Sequence, residues 1–144
     1  MEIQIMEGHH DTVKVVIQCQ KVSDDILRLK KHIGRFQTKL TAKLEQQTVF
    51  VELADVLYFE SVDNRVFLYT TNAVMEVKQR LYELEDMLPQ EDFFRISKAQ
   101  IVNIQQIKVL SPGFNRTLLA TMTNGEQVYI SRKYATDLRK LLSI

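Results

Sequence analysis

Apolar and polar residues alternate with a period of two through most of this 144-residue chain, and in three places the period lengthens to that of a helix. In residues 36–53, Phe36, Thr38, Leu40, Ala42 and Leu44 alternate with polar neighbours, and Val49, Val51 and Leu53 do so again after Glu45-Gln46-Gln47. Strict alternation predicts a hairpin with one wet face. The compact run Val56-Leu57-Tyr58-Phe59 predicts a strand over residues 55–60. Ser61-Val62-Asp63-Asn64-Arg65 is a turn by composition, and residues 66–71 and 73–77 read as two more strands. Residues 104–110, 116–123 and 126–130 continue the series, with turns at Ser111-Pro112-Gly113 and at Asn124-Gly125, a strong hairpin signal. Residues 1–20 read as two short strands, with the turn-prone Gly8-His9-His10-Asp11 ahead of Val13-Lys14-Val15-Val16-Ile17.

The helical stretches carry their own start and stop signals. Over residues 23–34, Ser23 is a good N-cap, and Asp24 and Asp25 suit the positive helix end. Ile26, Leu29 and Ile33 form the stripe, and Lys30, Lys31 and Arg35 lie late, where the dipole favours cations. Over residues 78–88, Leu81, Leu84, Met87 and Leu88 make a buried stripe, Glu83, Glu85 and Asp86 face water, and Pro89 stops the helix. The last helix starts after Ser131, with Tyr134, Leu138, Leu141 and Leu142 on its apolar face.

That last start contains a conflict. Arg132 and Lys133 occupy the first turn, where the macrodipole disfavours each cation by a few tenths to about 1 kcal/mol. A local rule broken without visible compensation marks function. A phosphate would resolve the conflict, because free N–H groups at a helix start bind anions and two cations would flank the same anion. Charge along the chain points the same way. The net charge of +1 conceals +3 over residues 1–44, −8 over residues 45–92 and +6 over residues 93–144. A nucleic-acid surface needs a local positive patch, which the last third supplies, while an acidic middle would repel DNA and orient the chain.

Other chemistry is not signalled. No nucleophile has a placed base, and no glycine-rich phosphate loop or Cys/His cluster at metal spacing occurs. His9 and His10 are adjacent and would point opposite ways in a strand. An enzyme, a cofactor and a metal site are therefore not expected. No apolar run approaches a membrane span, so the chain is expected in the cytoplasm. Cys19 stands alone in a strand-like run and reads as a buried structural thiol.

The stretch FFRISKAQIVNI, residues 93–104, sets polar Ser97, Lys98 and Gln100 between apolar anchors, so that the polar group is held still and aimed. Together with DVLYFESVDNRVFLYTT, LYELEDML and NGEQVYISRKYATDLRKLL, in that order and spacing, it resembles the LytTR family of bacterial DNA-binding domains. The resemblance covers roughly residues 41–144, leaving residues 1–40 as an N-terminal strand–strand–helix extension. It implies a mostly β (α+β) fold of small packed antiparallel sheets with short helices. It departs at one place: the family usually has His, a basic residue, Ser and an aromatic where this chain has Ser97, Lys98, Ala99 and Gln100.

The resemblance implies a stand-alone transcription regulator, without room for a receiver domain before residue 41, that binds double-stranded DNA through loops. Pairs would sit on repeated sites, giving a homodimer at least on DNA, and a small membrane-protein inhibitor is a further implied partner. Site residues carried by it are Asn64 and Arg65 in a strand–strand loop, Lys98 in the key stretch, and Arg132 and Lys133 at the helix start, and the local pattern of the key stretch adds Ser97 and Gln100. The residues alone leave Asn64 and Arg65 equally readable as an ordinary hairpin tip. Two rival functions remain: a protein-interaction or sensor module, and an RNA binder. The second lacks a stacking platform, because Phe93 and Phe94 read as core anchors.

Overall fold

The computed structural model describes residues 1–9, 13–35 and 39–144, with Arg35 by its backbone alone. The expectations for His10, Asp11, Phe36 and Thr38 lie outside the described residues. Helix α1 spans Asp24–Arg35. It starts as expected, with the Ser23 hydroxyl accepting from the Ile26 amide at 3.4 Å. Two hairpin strands follow, β1 (Lys39–Leu44) and β2 (Gln47–Glu52). Next come β3 (Tyr58–Val62), β4 (Arg65–Tyr69), β5 (Val74–Val77), α2 (Leu81–Met87), β6 (Phe93–Arg95) and β7 (Gln100–Asn103). The chain closes with β8 (Ile107–Pro112), β9 (Leu118–Met122), β10 (Gln127–Ile130) and α3 (Arg132–Leu142).

The strands form two antiparallel sheets, one of seven in the order β2-β1-β5-β4-β3-β7-β6 and one of three in the order β10-β9-β8. Alternation decides which side chains meet. On one face of the larger sheet, Phe59, Leu68, Met75 and Ile101 share a core with Leu81, Leu84 and Leu88 of α2. On the other face, Tyr58 and Val102 pack with Ala120, Met122 and Ile130 of the smaller sheet and with Ala135 and Leu138 of α3. Leu84 and Leu138 are fully buried, so truncating either to Ala costs about 2–5 kcal/mol. Asn103 is the buried polar side chain among the described residues. Its amide donates to the Val56 carbonyl at 2.8 Å, and its oxygen accepts from the Gln105 amide at 3.0 Å.

The mostly β class is as expected, and several elements differ. The described residues before α1 contain no strand, and Cys19 is exposed. A strand needs paired N–H and C=O groups, and none of the described residues before α1 joins either sheet. The turn between β3 and β4 shrinks to Asp63 and Asn64, both at positive φ (51° and 63°), the conformation of a two-residue hairpin loop. Ser61 and Val62 belong to β3 and Arg65 to β4. Residues 104–106 form a 3-10 turn ahead of β8. β8 runs through Pro112, because an edge strand tolerates a residue with no N–H. Helix α2 begins only at Leu81 and leaves Met87 exposed. Met87 lies about 120° around the helix from Leu81, past the apolar stripe. On α3, Leu141 is exposed and Ala135 takes the buried place.

Candidate nucleic-acid interface

Antiparallel pairing brings the separate candidate segments to one edge of the molecule. β3 runs toward that edge and β7 away from it, with Glu60 opposite Gln100. The register continues as the Ser61 amide donates to the Ala99 carbonyl at 2.8 Å. The Asp63-Asn64 turn and the 97–99 turn therefore emerge side by side. A third segment joins them: the Ser131 amide donates to the Ile96 carbonyl at 2.9 Å, which ties the start of α3 to the base of the same turn. Lys98, Arg132 and Lys133, three of the four cations expected at the site, thus leave adjoining pieces of backbone, and all three are exposed.

Their individual settings differ. The Ser97 hydroxyl accepts from the Ala99 amide at 3.2 Å, so it shapes the turn. Lys98 projects from the tip. The Gln100 amide nitrogen donates to Glu60 at 2.6 Å, which commits that group to the sheet. The Asn64 backbone carbonyl accepts from the Arg80 guanidinium at 2.8 Å. Arg65 makes a two-pronged bond to Glu76, at 3.0 and 2.6 Å. That hydrogen-bonded fork holds the Glu76 carboxyl below its usual range and raises Arg65. The Lys133 ammonium lies 5.5 Å from the Tyr134 ring centre. Ser131 stands at the N-cap of α3, but its side chain makes no capping bond, so that cap is not formed as the sequence suggests. The first amides of the helix are left to other acceptors.

Behind this edge lies a polar network. The Tyr58 hydroxyl donates to Glu126 at 2.9 Å and the Tyr69 hydroxyl to Glu60 at 3.3 Å. The two rings stack with centres 4.3 Å apart. Burial, and then the neighbouring carboxylates, raise both phenols above their ordinary value.

Sequence patterns do not single out Arg95. Its Nε donates to the Ser97 carbonyl at 2.8 Å, Nη2 to the Lys98 carbonyl at 2.6 Å, and Nη1 to Glu85 at 2.8 Å. Nor is Glu85 merely solvated, as its place in α2 suggests. Glu83 is engaged too, accepting from the Arg80 amide at 3.1 Å and capping α2. Among the described residues no group of three or more His, Cys, Asp and Glu could hold a metal ion. No described helix is long and apolar enough to cross a membrane.

Residues 46–143 match the family model described as LytTr DNA-binding domain. A solved LytTr DNA-binding domain of a putative methyl-accepting/DNA response regulator from Bacillus cereus superposes with a TM-score of 0.72 at 32% identity, covering 75% of this chain and 99% of that one. The Bacillus subtilis sensory transduction protein LytT is 33% identical over 125 residues, 87% of this chain. The chain spans about half of that relative's length, 52%. A Staphylococcus aureus (strain N315) protein named as an uncharacterized HTH-type transcriptional regulator is 33% identical over 147 residues, covering 100% of this chain and 99% of that one.

Proposed function

The chain belongs to the LytTr DNA-binding domain family, and from that premise we propose that it binds duplex DNA sequence-specifically as a bacterial transcription regulator. Two loops and a helix start make the contacts; no recognition helix lies in a groove. The observation that supports this reading most is the 2.9 Å bond from the Ser131 amide to the Ile96 carbonyl. It joins two basic segments that are far apart in sequence, each of a kind that suits DNA. One is a lysine on a stiff turn, and the other is a helix start whose first turn is basic and whose N-cap side chain is unused.

Phosphate contacts supply most of the affinity and a few base-edge contacts the specificity. Arg132 serves mainly phosphate, and Lys98 and Lys133 reach base edges. Gln100 and Arg65 support the edge from within the sheet, since Glu60 and Glu76 already occupy them. Two copies sit on repeated sites, the protein works in the cytoplasm, and a small membrane protein is the class of partner that would restrain it. Residues 1–40 form an extension to the DNA-binding part.

Selection of bound duplexes from a random pool, followed by titration at several salt concentrations, tests the reading. One enriched motif and a log-linear loss of affinity with salt are expected. No enrichment, or better binding of single-stranded RNA than of the enriched duplex, would overturn it.

A further inference from the structure

We propose that Arg95 is a positioning residue for DNA reading: anchored by Glu85, it holds the Ser97 and Lys98 carbonyls and so sets the direction in which the Lys98 side chain leaves its turn. This rests on the reading of Lys98 as a base-edge contact. Arg95 lies in the basic third of the chain, yet it faces inward: its side chain is 17% exposed, against 60% for Arg65. All three guanidinium nitrogens are in use, two on the carbonyls of successive residues of the turn and one on Glu85. A carboxylate at 2.8 Å also offsets its charge. Little of that cation is left for a phosphate, so its contribution is geometric.

The turn needs such a strut. Residues 97–99 lie between β6 and β7, outside the ladder of either strand. The Ile96 amide donates to the Gln100 carbonyl at 3.0 Å and closes the base of the turn, and the Ala99 carbonyl is held by Ser61. The carbonyls of Ser97 and Lys98 instead converge on Arg95. A planar guanidinium presents its donors in a fixed fork spread over three nitrogens, whereas a lysine offers its donors from one nitrogen on a flexible stem. Glu85 belongs to α2, so the pair also fastens the turn to the helix that covers the opposite face of the sheet.

The experiment compares Arg95→Lys, Glu85→Gln and Lys98→Ala, and the Arg95→Lys/Lys98→Ala double variant, in the full chain. Affinities are measured on the selected duplex and on scrambled DNA at two salt concentrations. Arg95→Lys is expected to lower the ratio of selected to scrambled affinity by about tenfold. Affinity for scrambled DNA and the salt slope should stay at their wild-type values. Glu85→Gln should move the ratio the same way by less. In the Lys98→Ala background Arg95→Lys should cost little more, because both act through one contact.

Three results would overturn the proposal: an unchanged ratio in Arg95→Lys, losses that multiply in the double variant, or equal losses on both DNAs with a smaller salt slope. The last would make Arg95 a phosphate contact. If thermal melting shows Arg95→Lys to be unfolded, the half-exposed Glu85→Gln decides, and a wild-type ratio there overturns the proposal. A wild-type chain that enriches no duplex defeats the DNA reading itself, before any variant is compared.

Discussion

Lys98, Arg132 and Lys133 carry the same charge to the same edge, but Lys98 stands on a turn and the other two in the first turn of α3. Arg132 opens α3, whose first amides would suit a phosphate, so on the proposed reading Arg132→Ala should weaken binding to all duplexes nearly equally. The salt slope should fall by about one unit, as titration on selected and scrambled DNA will show. Lys98→Ala or Lys133→Ala should instead cost about 1–3 kcal/mol on the selected site and less on scrambled DNA. Equal losses on both DNAs would leave only phosphate contacts. Arg65 answers to Glu76 before any ligand. The Arg65 hydrogen bonds hold the Glu76 carboxyl below its ordinary value of 4.5. A depressed carboxylate adds stability above its unfolded value, and that stability fades as pH falls through the folded one. Carbon-detected titration should therefore show Glu76 moving upward toward 4.5 in Arg65→Ala.

Among the elements, those written by strict alternation were legible. The β1–β2 hairpin and the turn at Asn124-Gly125, where Gly125 takes φ +91°, lie where the sequence puts them. β-branched composition misled within residues 1–20, because it says that a segment could be a strand and nothing about a partner. Charges were the least legible feature. Glu83 and Glu85 look like a solvated helix face, yet one caps α2 and the other anchors Arg95. Glu83 caps its own helix from three residues away, whereas the Glu85 partner lies on β6, and a pairing between elements leaves no local pattern. Asn103 was equally hidden within an apolar strand. Its amide ties β7 to the 3-10 turn at Leu53–Asp55 and to the residue after it. Asn103→Ala should lower unfolding free energy by about 1–3 kcal/mol in urea, because buried carbonyls lose their donor. Wild-type stability in that variant would contradict this account.

At the scale of the molecule, two cores share one sheet, and a tyrosine pair in one of them bears on alkaline stability. Tyr58 and Tyr69 have folded-state values raised above the ordinary 10.0 by burial and by Glu126 and Glu60. The unfolded chain therefore ionises its phenols first, and stability present below pH 10.0 should decline as pH rises beyond it. Tyr58→Phe should flatten that decline in denaturant melts. The extension poses a different question. Ile3, Ile5, Val13, Val15 and Val16 are exposed, and the solved Bacillus cereus domain folds while covering 75% of this chain. Removing residues 1–36 should alter self-association in sedimentation or stability more than the selected DNA sequence. Finally, the Ser131 amide bonded to the Ile96 carbonyl is a built-in gauge of the whole edge. Its exchange for solvent deuterium requires the turn and α3 to part. The pace of that single substitution, read by NMR, should quicken in Arg95→Lys and slow when duplex is added, reporting the joint between two segments without a label near either.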